Sequence, residues 1–372
     1  GEFRLRRMLV IGIAIGLVAG GLWSGVCAGA GLSKKKTGIF GEKKKIKKKK
    51  KKLKEKIIEE KQKIRIGISY YDSYDPFIME LSSRIEKQLN EYENVIVKSV
   101  DSEKSQSTQN RQVSDMLSDS YDVICVNLVD RTAPKKIISM AEDSNVPVIF
   151  FNRELVSQDL ESWTRLYYVG ADAGESGKMQ GEIVSDYIKE HPEVDKNQDG
   201  EIQYIILEGE TGHQDAIVRT DVSIQTISDA GIVLDKLSFA IANWNRSQAC
   251  TKTKQLLSKF NTNIELILAN NDEMAIGAIQ ALTETGIAKE QWPIVIGIDG
   301  TEDGLEQVKE GNMIGTVYND GIKQADAIAD LSIALAKNES LDSFNLKNGR
   351  YIRSPYQKVT IENVDDYLKL LQ

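Results

Sequence analysis

From Ile64 to its end, the chain alternates between two kinds of segment. Short apolar runs rich in β-branched residues are separated by longer stretches in which apolar residues recur with helical spacing. The predicted strands are Ile64–Tyr70, Val95–Val100, Val123–Asn127, Val146–Phe151, Arg165–Val169, Gln203–Glu208, Leu266–Ala269, Ile294–Ile298 and Ile314–Val317. The clearest predicted helices are Pro76–Asn90, Glu175–Glu190, Asp215–Asp229 and Asp272–Glu284. This alternation predicts an α/β fold of doubly wound parallel sheets, and so many strands favour two lobes over one.

The charge of the chain is distributed unevenly. The 372 residues carry a formal net charge of −7. Residues 1–65 contain 20 Lys and Arg against 5 Asp and Glu, whereas the rest contains 28 against 50, a net charge of −22. Basic surface supplies most of the affinity of nucleic-acid-binding proteins, so the acidic balance of the folded part predicts no nucleic-acid partner.

The N-terminal 30 residues look like an export signal. Three arginines among the first seven residues precede the apolar stretch Met8–Ala30, which ends in the small-residue pattern Ala-Gly-Ala. The stretch is also long enough for an uncleaved membrane anchor, and Cys27 raises a third alternative, a lipoprotein. All three alternatives predict an exported protein, periplasmic or extracellular.

A lysine-dominated tract follows at residues 31–63 and contains the run Lys47–Lys52. Such a tract is typical of a solvated, self-repelling spacer, and the alternative is a polybasic segment that lies on anionic lipid. Either way it would be a stalk or linker between a membrane and the folded domain. Its high positive charge counts against a retained anchor with an external domain.

Residues 195–203 read Asp-Lys-Asn-Gln-Asp-Gly-Glu-Ile-Gln, which matches the first nine positions of an EF-hand calcium loop. An EF-hand needs a bidentate Glu at the twelfth position, but that position is Ile206, and the residues after the loop form a β-type run. The loop therefore predicts a calcium site whose last carboxylate comes from elsewhere. The alternative is a simple turn built on Asp, Asn and Gly.

Several motifs of catalytic proteins are missing from the sequence. It contains no GxGxxG after the first strand, no GxxxxGK[ST] and no GxSxG, and its only histidines are His191 and His213. Cys125 lies in a predicted strand as a small buried hydrophobe, and with Cys250 it does not make a disulfide framework. Dinucleotide, ATP and triad chemistry are therefore not expected.

Polar residues cluster just after the predicted strands, at the sheet edge where α/β folds bind ligands. They are Asp75, Asn152, His213, Asp215, Asn270, Asn271, Asp272, Asp299 and Asn319. Together with Arg219 they offer planar donors and acceptors for vicinal hydroxyl groups, and Phe77 and Trp244 offer flat apolar faces for a sugar ring. Many polar groups without a nucleophile favour capture of a carbohydrate over its conversion.

Each of these residues also has a purely structural interpretation. Asp75 before Pro76 is a good helix N-cap, and Asp272 fits the same role at its own helix. Trp244 fits a core position, and Arg219 fits a surface ion pair with Asp215 four residues earlier. The joint placement of the set at one edge favours the binding site.

The segments around these residues carry a family resemblance. They are Tyr74-Asp75-Pro76-Phe77, Val126-Asn127-Leu128-Val129-Asp130, Phe150-Phe151-Asn152-Arg153-Glu154, Gly212-His213-Gln214-Asp215 with Arg219, Ala269-Asn270-Asn271-Asp272 and Gly297-Ile298-Asp299. Through them the chain from Arg65 onward resembles the bacterial periplasmic glucose/galactose-binding proteins, which are receptors for sugar uptake and chemotaxis. The lysine-rich segment is foreign to that family.

The resemblance implies roles for individual residues. The implied hydrogen-bonding set for a pyranose is Asp75, Asn152, His213, Asp215, Arg219, Asn271, Asp299 and Asn319, with Phe77 and Trp244 as stacking faces. Asp215 and Arg219 would face the anomeric side, and Asp75 and His213 the O4/O6 side. The implied calcium ligands are Asp195, Asn197, Asp199, Glu201 through its backbone carbonyl, Gln203 and Glu265.

We therefore predict a monomeric two-lobe receptor, not an enzyme, that binds D-glucose or D-galactose between its lobes and holds a structural Ca²⁺. An ABC transporter permease, or a chemotaxis or other membrane sensor, would recognise the closed form. The expected lobes are residues 64–171 with 319–354 and residues 172–318 with 355–372, joined by three crossovers near Gly170–Asp172, Val317–Asp320 and Ser354–Tyr356. The alternatives are a sugar-sensing subunit for a membrane histidine kinase, the core of a sugar-responsive transcription regulator, and a sugar-converting enzyme.

Overall fold

The computed structural model describes residues 35–61 and 63–372. The chain divides into two units, Gly1–Gln62 and Lys63–Gln372. In the first unit the structure describes one helix, α1 (Lys35–Lys61), so the lysine-rich tract predicted as a linker is helical over those residues. The predicted signal or anchor at residues 1–30 lies outside the described residues. Among the helices that are described, none combines the length and apolar character needed to cross a membrane.

The second unit alternates strands and helices along most of its length. The strands within residues 63–372 are β1 (Ile64–Tyr70), β2 (Val95–Asp101), β3 (Val123–Val126), β4 (Val148–Phe151), β5 (Leu166–Ala171), β6 (Ile202–Glu208), β7 (Leu234–Ile241), β8 (Leu266–Ala269), β9 (Ile294–Ile296), β10 (Gly315–Asn319), β11 (Tyr351–Ser354) and β12 (Tyr356–Thr360). The helices are α2 (Pro76–Asn90), α3 (Gln106–Ser118), α4 (Lys135–Ser144), α5 (Ser157–Leu160), α6 (Ala173–Glu190), α7 (Gln214–Asp229), α8 (Arg246–Phe260), α9 (Asp272–Glu284), α10 (Glu302–Lys309), α11 (Gly321–Ala336) and α12 (Val364–Leu370). Short 3₁₀ turns lie at Pro192–Val194, Asn261–Asn263, Lys289–Gln291 and Asp342–Phe344.

These strands form two sheets of six strands within residues 63–372. The N-terminal sheet has the order β11-β5-β4-β3-β1-β2, and the C-terminal sheet has the order β12-β10-β9-β8-β6-β7. Neighbouring strands are parallel except β10 and β12, which pair antiparallel. The predicted α/β fold with two doubly wound lobes is confirmed, and β12 is an antiparallel addition that the sequence did not reveal.

Both faces of each sheet are buried. In β3, Val123 and Cys125 pack into one apolar cluster, whereas Ile124 and Val126 pack into another on the opposite face. All four residues are completely buried. A strand covered on both faces reads as a continuous apolar run, which is why this strand was recognisable from sequence and why Cys125 behaves as a small hydrophobe.

The chain passes between the sheets three times, as predicted for a hinge. After β5 the chain enters α6, which packs on the C-terminal lobe, and after β10 it enters α11, which packs on α2 in the N-terminal lobe. The third passage joins β11 to β12 directly. The connections are Ala171–Ala173, Asn319–Gly321 and Ser354–Tyr356. Three short connections of this kind let two lobes open and close with few changes in backbone conformation.

Three strands were not predicted from the sequence, namely β7, β11 and β12. All three lie at sheet edges, where one flank has no partner strand. Most of their residues are half-buried or exposed, and Phe239 in β7 is 51% exposed. Edge strands need less apolar surface than central ones, so their sequence signal is weaker.

Candidate functional site

The predicted sugar-site residues converge on one cavity between the two lobes. They reach it from loops after β1, β4, β6, β7, β8 and β9, that is, from the carboxyl ends of strands in both sheets. The cavity holds about 340 Å³ of empty space, part of it open to solvent. Its lining residues are Asp75, Phe77, Asn152, Arg153, His213, Asp215, Arg219, Trp244, Asn271 and Asp299. Nine of the ten predicted residues are therefore brought together, and Asn319 is the exception.

Arg219 is the centre of the C-terminal half of the cavity. It is 4% exposed and donates to the carbonyl of Asn270 at 2.8 Å and to the hydroxyl of Tyr356 at 2.9 Å. Its Nη2 atom lies 3.8 Å from a carboxylate oxygen of Asp215 and 3.8 Å from one of Asp299. The alternative of a surface ion pair is therefore wrong, because the whole cluster is buried.

Burial and charge act in opposite directions on the two carboxyl groups beside Arg219. Burial raises the pKa of Asp215 and raises that of Asp299 well above its usual range, whereas the positive charge of Arg219 lowers both. A buried carboxylate is costly unless it is paired and hydrogen-bonded. Arg219 is thus the counter-charge that makes this acidic pair tolerable in the fold.

His213 is held as a neutral hydrogen-bond donor. It is the N-cap of α7, and its Nδ1 atom accepts from the backbone N–H of Asp215 at 3.1 Å. An accepting Nδ1 places the ring hydrogen on Nε2. Burial, followed by the charges of Arg153 and Arg219, lowers the pKa of His213 well below its usual value. The ring therefore offers one N–H donor and meets Trp244 edge to face, with 4.8 Å between centroids.

Trp244 is both a core residue and a wall of the cavity. It is 9% exposed and belongs to the main apolar cluster of the C-terminal lobe. Its ring fills the space next to Gly209, where an added Cβ would lie 2.2 Å from a ring carbon. Its backbone adopts φ +62°, a left-handed conformation that is an outlier for a bulky residue. The predicted core position is confirmed, and it does not compete with the predicted stacking role.

Asn271, and not Asp272, has the capping role that the sequence suggested at the start of α9. The N-cap of α9 is Asn271, whose Oδ1 atom accepts from the backbone N–H of Met274 at 3.0 Å. Asp272 is the first helical residue and is fully buried, with Oδ1 accepting from the hydroxyl of Thr316 at 2.6 Å and Oδ2 from the backbone N–H of Thr301 at 3.0 Å. Burial raises its pKa to about 6. The prediction of Asp272 as a cap was wrong, because its carboxylate is used to join three segments of the C-terminal lobe.

Asp75 anchors the N-terminal half of the cavity. It is the N-cap of α2, accepting from the backbone N–H of Ile78 at 3.2 Å with Pro76 as the first helical residue, so the predicted cap is confirmed. Its second carboxylate oxygen accepts from the hydroxyl of Tyr71 at 2.5 Å. Burial raises the pKa of Asp75, and these hydrogen bonds lower it. The next cavity residue, Phe77, extends from the same helix.

Arg153 is a cavity residue that the sequence reasoning missed. It directly follows Asn152, which adopts a left-handed φ of +63° after β4. Arg153 is 2% exposed, and its guanidinium carbon lies 3.5 Å from the centroid of the Tyr71 ring. The available signal was a second polar residue at the same strand end, next to a predicted ligand.

Asn319 lies behind the cavity instead of lining it. Its side-chain amide nitrogen is 3.4 Å from an Asp299 carboxylate oxygen, and its oxygen accepts from Gln324 at 2.6 Å. Asn319 ends β10 and so sits at the second crossover between the lobes. In this structure Asn319 orients Asp299, which itself adopts a left-handed φ of +127°.

In the loop at residues 195–203, three of the predicted calcium ligands, Asn197, Asp199 and Gln203, lie within hydrogen-bonding distance of one another. Asp199 Oδ2 lies 3.0 Å from the amide nitrogen of Asn197 and 2.9 Å from that of Gln203. Strand β8 pairs with β6 as expected, and the Glu265 carboxylate accepts from the backbone N–H groups of Lys196 and Gln203. Asp195 closes the turn by accepting from the backbone N–H of Gly200 at 2.9 Å.

The donor set of this loop suits a hard cation in its chemistry. Over residues 35–61 and 63–372, no group of three or more His, Cys, Asp or Glu side chains is placed to hold a metal. Amide and backbone carbonyl oxygens would therefore have to complete the shell, which is the pattern that calcium prefers. A half-turn of the Asn197 and Gln203 amides would put their oxygens where their nitrogens now face Asp199.

The fold and the cavity together define a class of protein. Two α/β lobes joined by a three-segment hinge, with a polar and aromatic-lined cleft between them, are the architecture of a receptor that closes around a small ligand. A sequence model described as a periplasmic binding protein domain matches residues 66–340. The chain therefore belongs to the periplasmic binding protein family.

Comparison with individual proteins refines this assignment. The chain is 36% identical over 309 residues to the D-galactose/methyl-galactoside binding periplasmic protein of Haemophilus influenzae, covering 82% of this chain and 92% of that protein. It is 27% identical over 258 residues to the ribose import binding protein of Bacillus subtilis, covering 69% and 76%. Among solved structures, an ABC transporter solute binding protein from Bacillus halodurans with bound myo-inositol is 30% identical with a TM-score of 0.72, covering 83% and 98%. The chain is thus a periplasmic sugar-binding receptor of the ABC-transporter type and not an enzyme.

Proposed function

We propose that this receptor binds D-glucose and D-galactose in the interlobe cleft. The observation that carries the proposal is the cavity itself, in which buried acids, Arg219 and the neutral donor His213 meet two aromatic residues. The identity of 36% to a galactose-binding relative supports the same choice. A pyranose needs many directional hydrogen bonds and a flat apolar face, and both are present in this cavity.

Two pairs of cavity residues address opposite sides of the sugar. Asp215 and Arg219 address the anomeric side, and Asp75 and His213 address the O4/O6 side. One oxygen of Asp75 is occupied by Tyr71 and the other by the helix N-terminus, yet each retains lone pairs for a sugar hydroxyl. An acceptor that reaches both positions of O4 would accommodate both epimers.

Binding and closure are coupled in this proposal. The sugar contacts both lobes only when they are together, so it has a higher affinity for the closed state and shifts the population toward it. A membrane partner then recognises the closed receptor. We propose an ABC transporter as that partner, with a chemotaxis or other sensor as a further user of the same closed form.

Calorimetric titration of the full chain with glucose, galactose, xylose, ribose and myo-inositol tests the sugar assignment. We expect glucose and galactose to bind at least tenfold more tightly than the other three, because a missing CH₂OH or an altered hydroxyl leaves buried polar groups unpaired. Tighter binding of ribose or myo-inositol than of both hexoses would overturn the assignment.

We further propose that the loop at residues 195–203 binds Ca²⁺ as a structural ion. Asp195, Asn197, Asp199, Gln203 and Glu265 would supply side-chain oxygens, and Glu201 its backbone carbonyl. The ion would join the loop to β8 and stabilise the C-terminal lobe by linkage. The hydrogen bond from the backbone N–H of Glu201 already lowers the pKa of Asp199, which favours the charged form that a cation needs.

Thermal melting with and without a chelator tests this ion. We expect chelation to lower the melting temperature of the wild type, and Glu265→Gln to abolish the response. Glu290→Gln, on the exposed turn before β9, is the matched control and should respond like the wild type. Equal melting with and without chelator in the wild type would contradict the calcium proposal.

Helix α1 suggests an association with an anionic membrane surface, which we also propose. Every side chain from Glu42 to Ile58 is exposed, and this stretch contains 11 Lys against 2 Glu. The exposed Ile46, Leu53 and Ile57 are spaced by seven and four residues, which places them on one face of the helix. Each lysine near an anionic leaflet contributes about 1 kcal/mol, so the stretch as a whole provides ample electrostatic attraction.

Co-sedimentation of the full chain with vesicles tests the membrane proposal. We expect binding to phosphatidylglycerol vesicles that salt reverses, weak binding to phosphatidylcholine, and loss of binding when Lys47–Lys52 are replaced by Gln. Equal binding to both kinds of vesicle, or unchanged binding of the Gln variant, would contradict it.

A further inference from the structure

Two polar contacts between side chains join the lobes at the rim of the cleft. Arg153 follows β4 of the N-terminal sheet, and Glu210 follows β6 of the C-terminal sheet. Their side chains pair in a bidentate fashion, with Nη1–Oε1 at 2.7 Å and Nη2–Oε2 at 3.0 Å. Close by, Arg131 of the N-terminal lobe donates to the side chain of Gln214 in the other lobe at 2.6 Å.

Arg153 connects this interlobe contact to a proposed sugar ligand. Its guanidinium also donates to the carbonyl of Val129 at 3.0 Å and lies 3.5 Å over the ring of Tyr71. The hydroxyl of Tyr71 in turn donates to Asp75 at 2.5 Å. A continuous path of contacts therefore runs from Glu210 in one lobe to the sugar-facing carboxylate in the other.

The pair has the properties of a contact that favours the closed state. The Arg153 side chain is 3% exposed and that of Glu210 is 37% exposed, so water reaches the carboxylate of the pair but hardly reaches the guanidinium. A planar guanidinium and a carboxylate in this fork geometry make charge-assisted hydrogen bonds, which are stronger than neutral ones. Opening the hinge separates the two lobes and breaks the pair, whereas the stacking of Arg153 on Tyr71 lies within one lobe.

We propose that the Arg153–Glu210 pair is an interlobe latch, and that Arg153 is a positioning residue for Asp75. The latch raises the fraction of receptor that is closed before sugar arrives and slows reopening afterwards. The apparent affinity for a ligand that binds the closed state scales with that fraction, so the pair raises affinity by favouring closure, and Glu210 does so from outside the cavity lining. This inference rests on the proposed sugar site.

Glu210→Gln tests the latch, because it keeps the size of the side chain and removes its charge. We expect about tenfold weaker glucose binding, caused mainly by faster dissociation in stopped-flow measurements, and less weakening by salt than in the wild type. Glu284→Gln is the matched control, since Glu284 pairs with Lys254 inside the C-terminal lobe. The control should bind like the wild type.

Arg153→Lys tests the positioning role. Lysine keeps the charge but loses the planar fork and its stacking on Tyr71. We expect the glucose affinity of Arg153→Lys to fall at least as far as that of Glu210→Gln. We also expect the ratio of glucose affinity to xylose affinity to fall further than it does in Glu210→Gln, because Asp75 loses its support. Discrimination equal to that of the wild type would overturn the positioning role and leave only the latch.

A measurement without sugar separates failure of the latch from failure of the proposed function. Spin labels at Tyr74→Cys and Ser247→Cys, which flank the same cleft opening from opposite lobes, report the lobe separation in a Cys27→Ser background. Glu210→Gln should shift the sugar-free distance distribution of the full chain toward longer distances. An unchanged distribution together with unchanged affinity overturns the latch. If the wild type binds none of the sugars, the proposed function fails while the distances still decide the latch.

Discussion

The two lobes contribute to the cleft in different ways. The C-terminal lobe provides His213, Asp215, Arg219, Trp244, Asn271 and Asp299, most of them connected through Arg219 or packed on Trp244. The N-terminal lobe provides Asp75, Phe77, Asn152 and Arg153, with one carboxylate held by Tyr71. The C-terminal lobe therefore provides most of the hydrogen-bonding groups of the cavity, already held by one another. The N-terminal lobe provides a smaller set of residues that closes over them.

This asymmetry teaches how stability and binding are divided. On the C-terminal side the same residues hold the lobe together and face the cavity, so a substitution there affects both folding and affinity. On the N-terminal side the cavity residues are mainly helix caps and loop residues, so affinity can change with little effect on the free energy of unfolding. Substitutions in the two lobes should therefore differ in effect, from the largest at Arg219 to the smallest at His213.

Replacing Arg219 should have the largest effect. Arg219→Met leaves Asp215 and Asp299 buried without their counter-charge, and we expect a loss of about 3–5 kcal/mol in the free energy of unfolding together with loss of sugar binding. Urea denaturation and calorimetry measure the two effects. Lys254→Met, which removes an exposed cation of the same lobe, should change neither. Full stability of Arg219→Met would refute the view of Arg219 as the central counter-charge.

The two aromatic residues provide a direct comparison of the lobes. Trp244→Ala opens space inside the apolar cluster of the C-terminal lobe, and we expect it to cost about 3–5 kcal/mol of stability and most of the affinity. Phe77 is only half-buried, so Phe77→Ala should weaken binding with a much smaller change in stability. Equal destabilisation by both substitutions, measured by urea denaturation, would remove the proposed asymmetry.

Asp75→Asn isolates binding from folding on the N-terminal side. Asparagine is as good an N-cap as aspartate, so the start of α2 and the melting temperature should be preserved. The loss of a charged acceptor should weaken glucose binding by about tenfold to a hundredfold, equivalent to about 1.5–3 kcal/mol. Ser105→Asn changes the cap of α3, outside the cavity and the hinge, and should bind like the wild type. A large fall in the melting temperature of Asp75→Asn would show that the cavity residues of the N-terminal lobe also stabilise the fold, and it would contradict the proposed difference between the lobes.

The smallest expected effect is the pH dependence that His213 adds. Its pKa in the folded protein is depressed below the unfolded value of about 6.5, so its contribution to stability is present above that pH and is lost as the pH falls toward the folded pKa. His213→Gln should flatten the fall in the free energy of unfolding between pH 7 and pH 5. The second histidine of the sequence, His191, stacks on Tyr187, and His191→Gln is the control. If both variants have the wild-type slope, His213 is not the group that titrates.

Short-range patterns were enough to predict a large part of the fold. Helices α2 and α9 and strands β1 and β8 begin and end where periodicity placed them, because each carries its own apolar spacing and, for α2, its own cap and proline. The three edge strands were missed because half of their surface faces solvent. The cap of α9 was placed one residue late, since Asn and Asp are equally good caps and only the buried partners of Asp272 decide between them.

The sequence by itself determined the two-lobe α/β class and most of the residues that face the cleft, because polar residues after parallel strands must meet at one edge. Only the tertiary structure decided which of them are held and how. The left-handed backbones of Asn152, Trp244 and Asp299, the central position of Arg219 and the Arg153–Glu210 pair all depend on partners distant in sequence. Such contacts form when the lobes are folded and closed, so no local pattern in the chain specifies them.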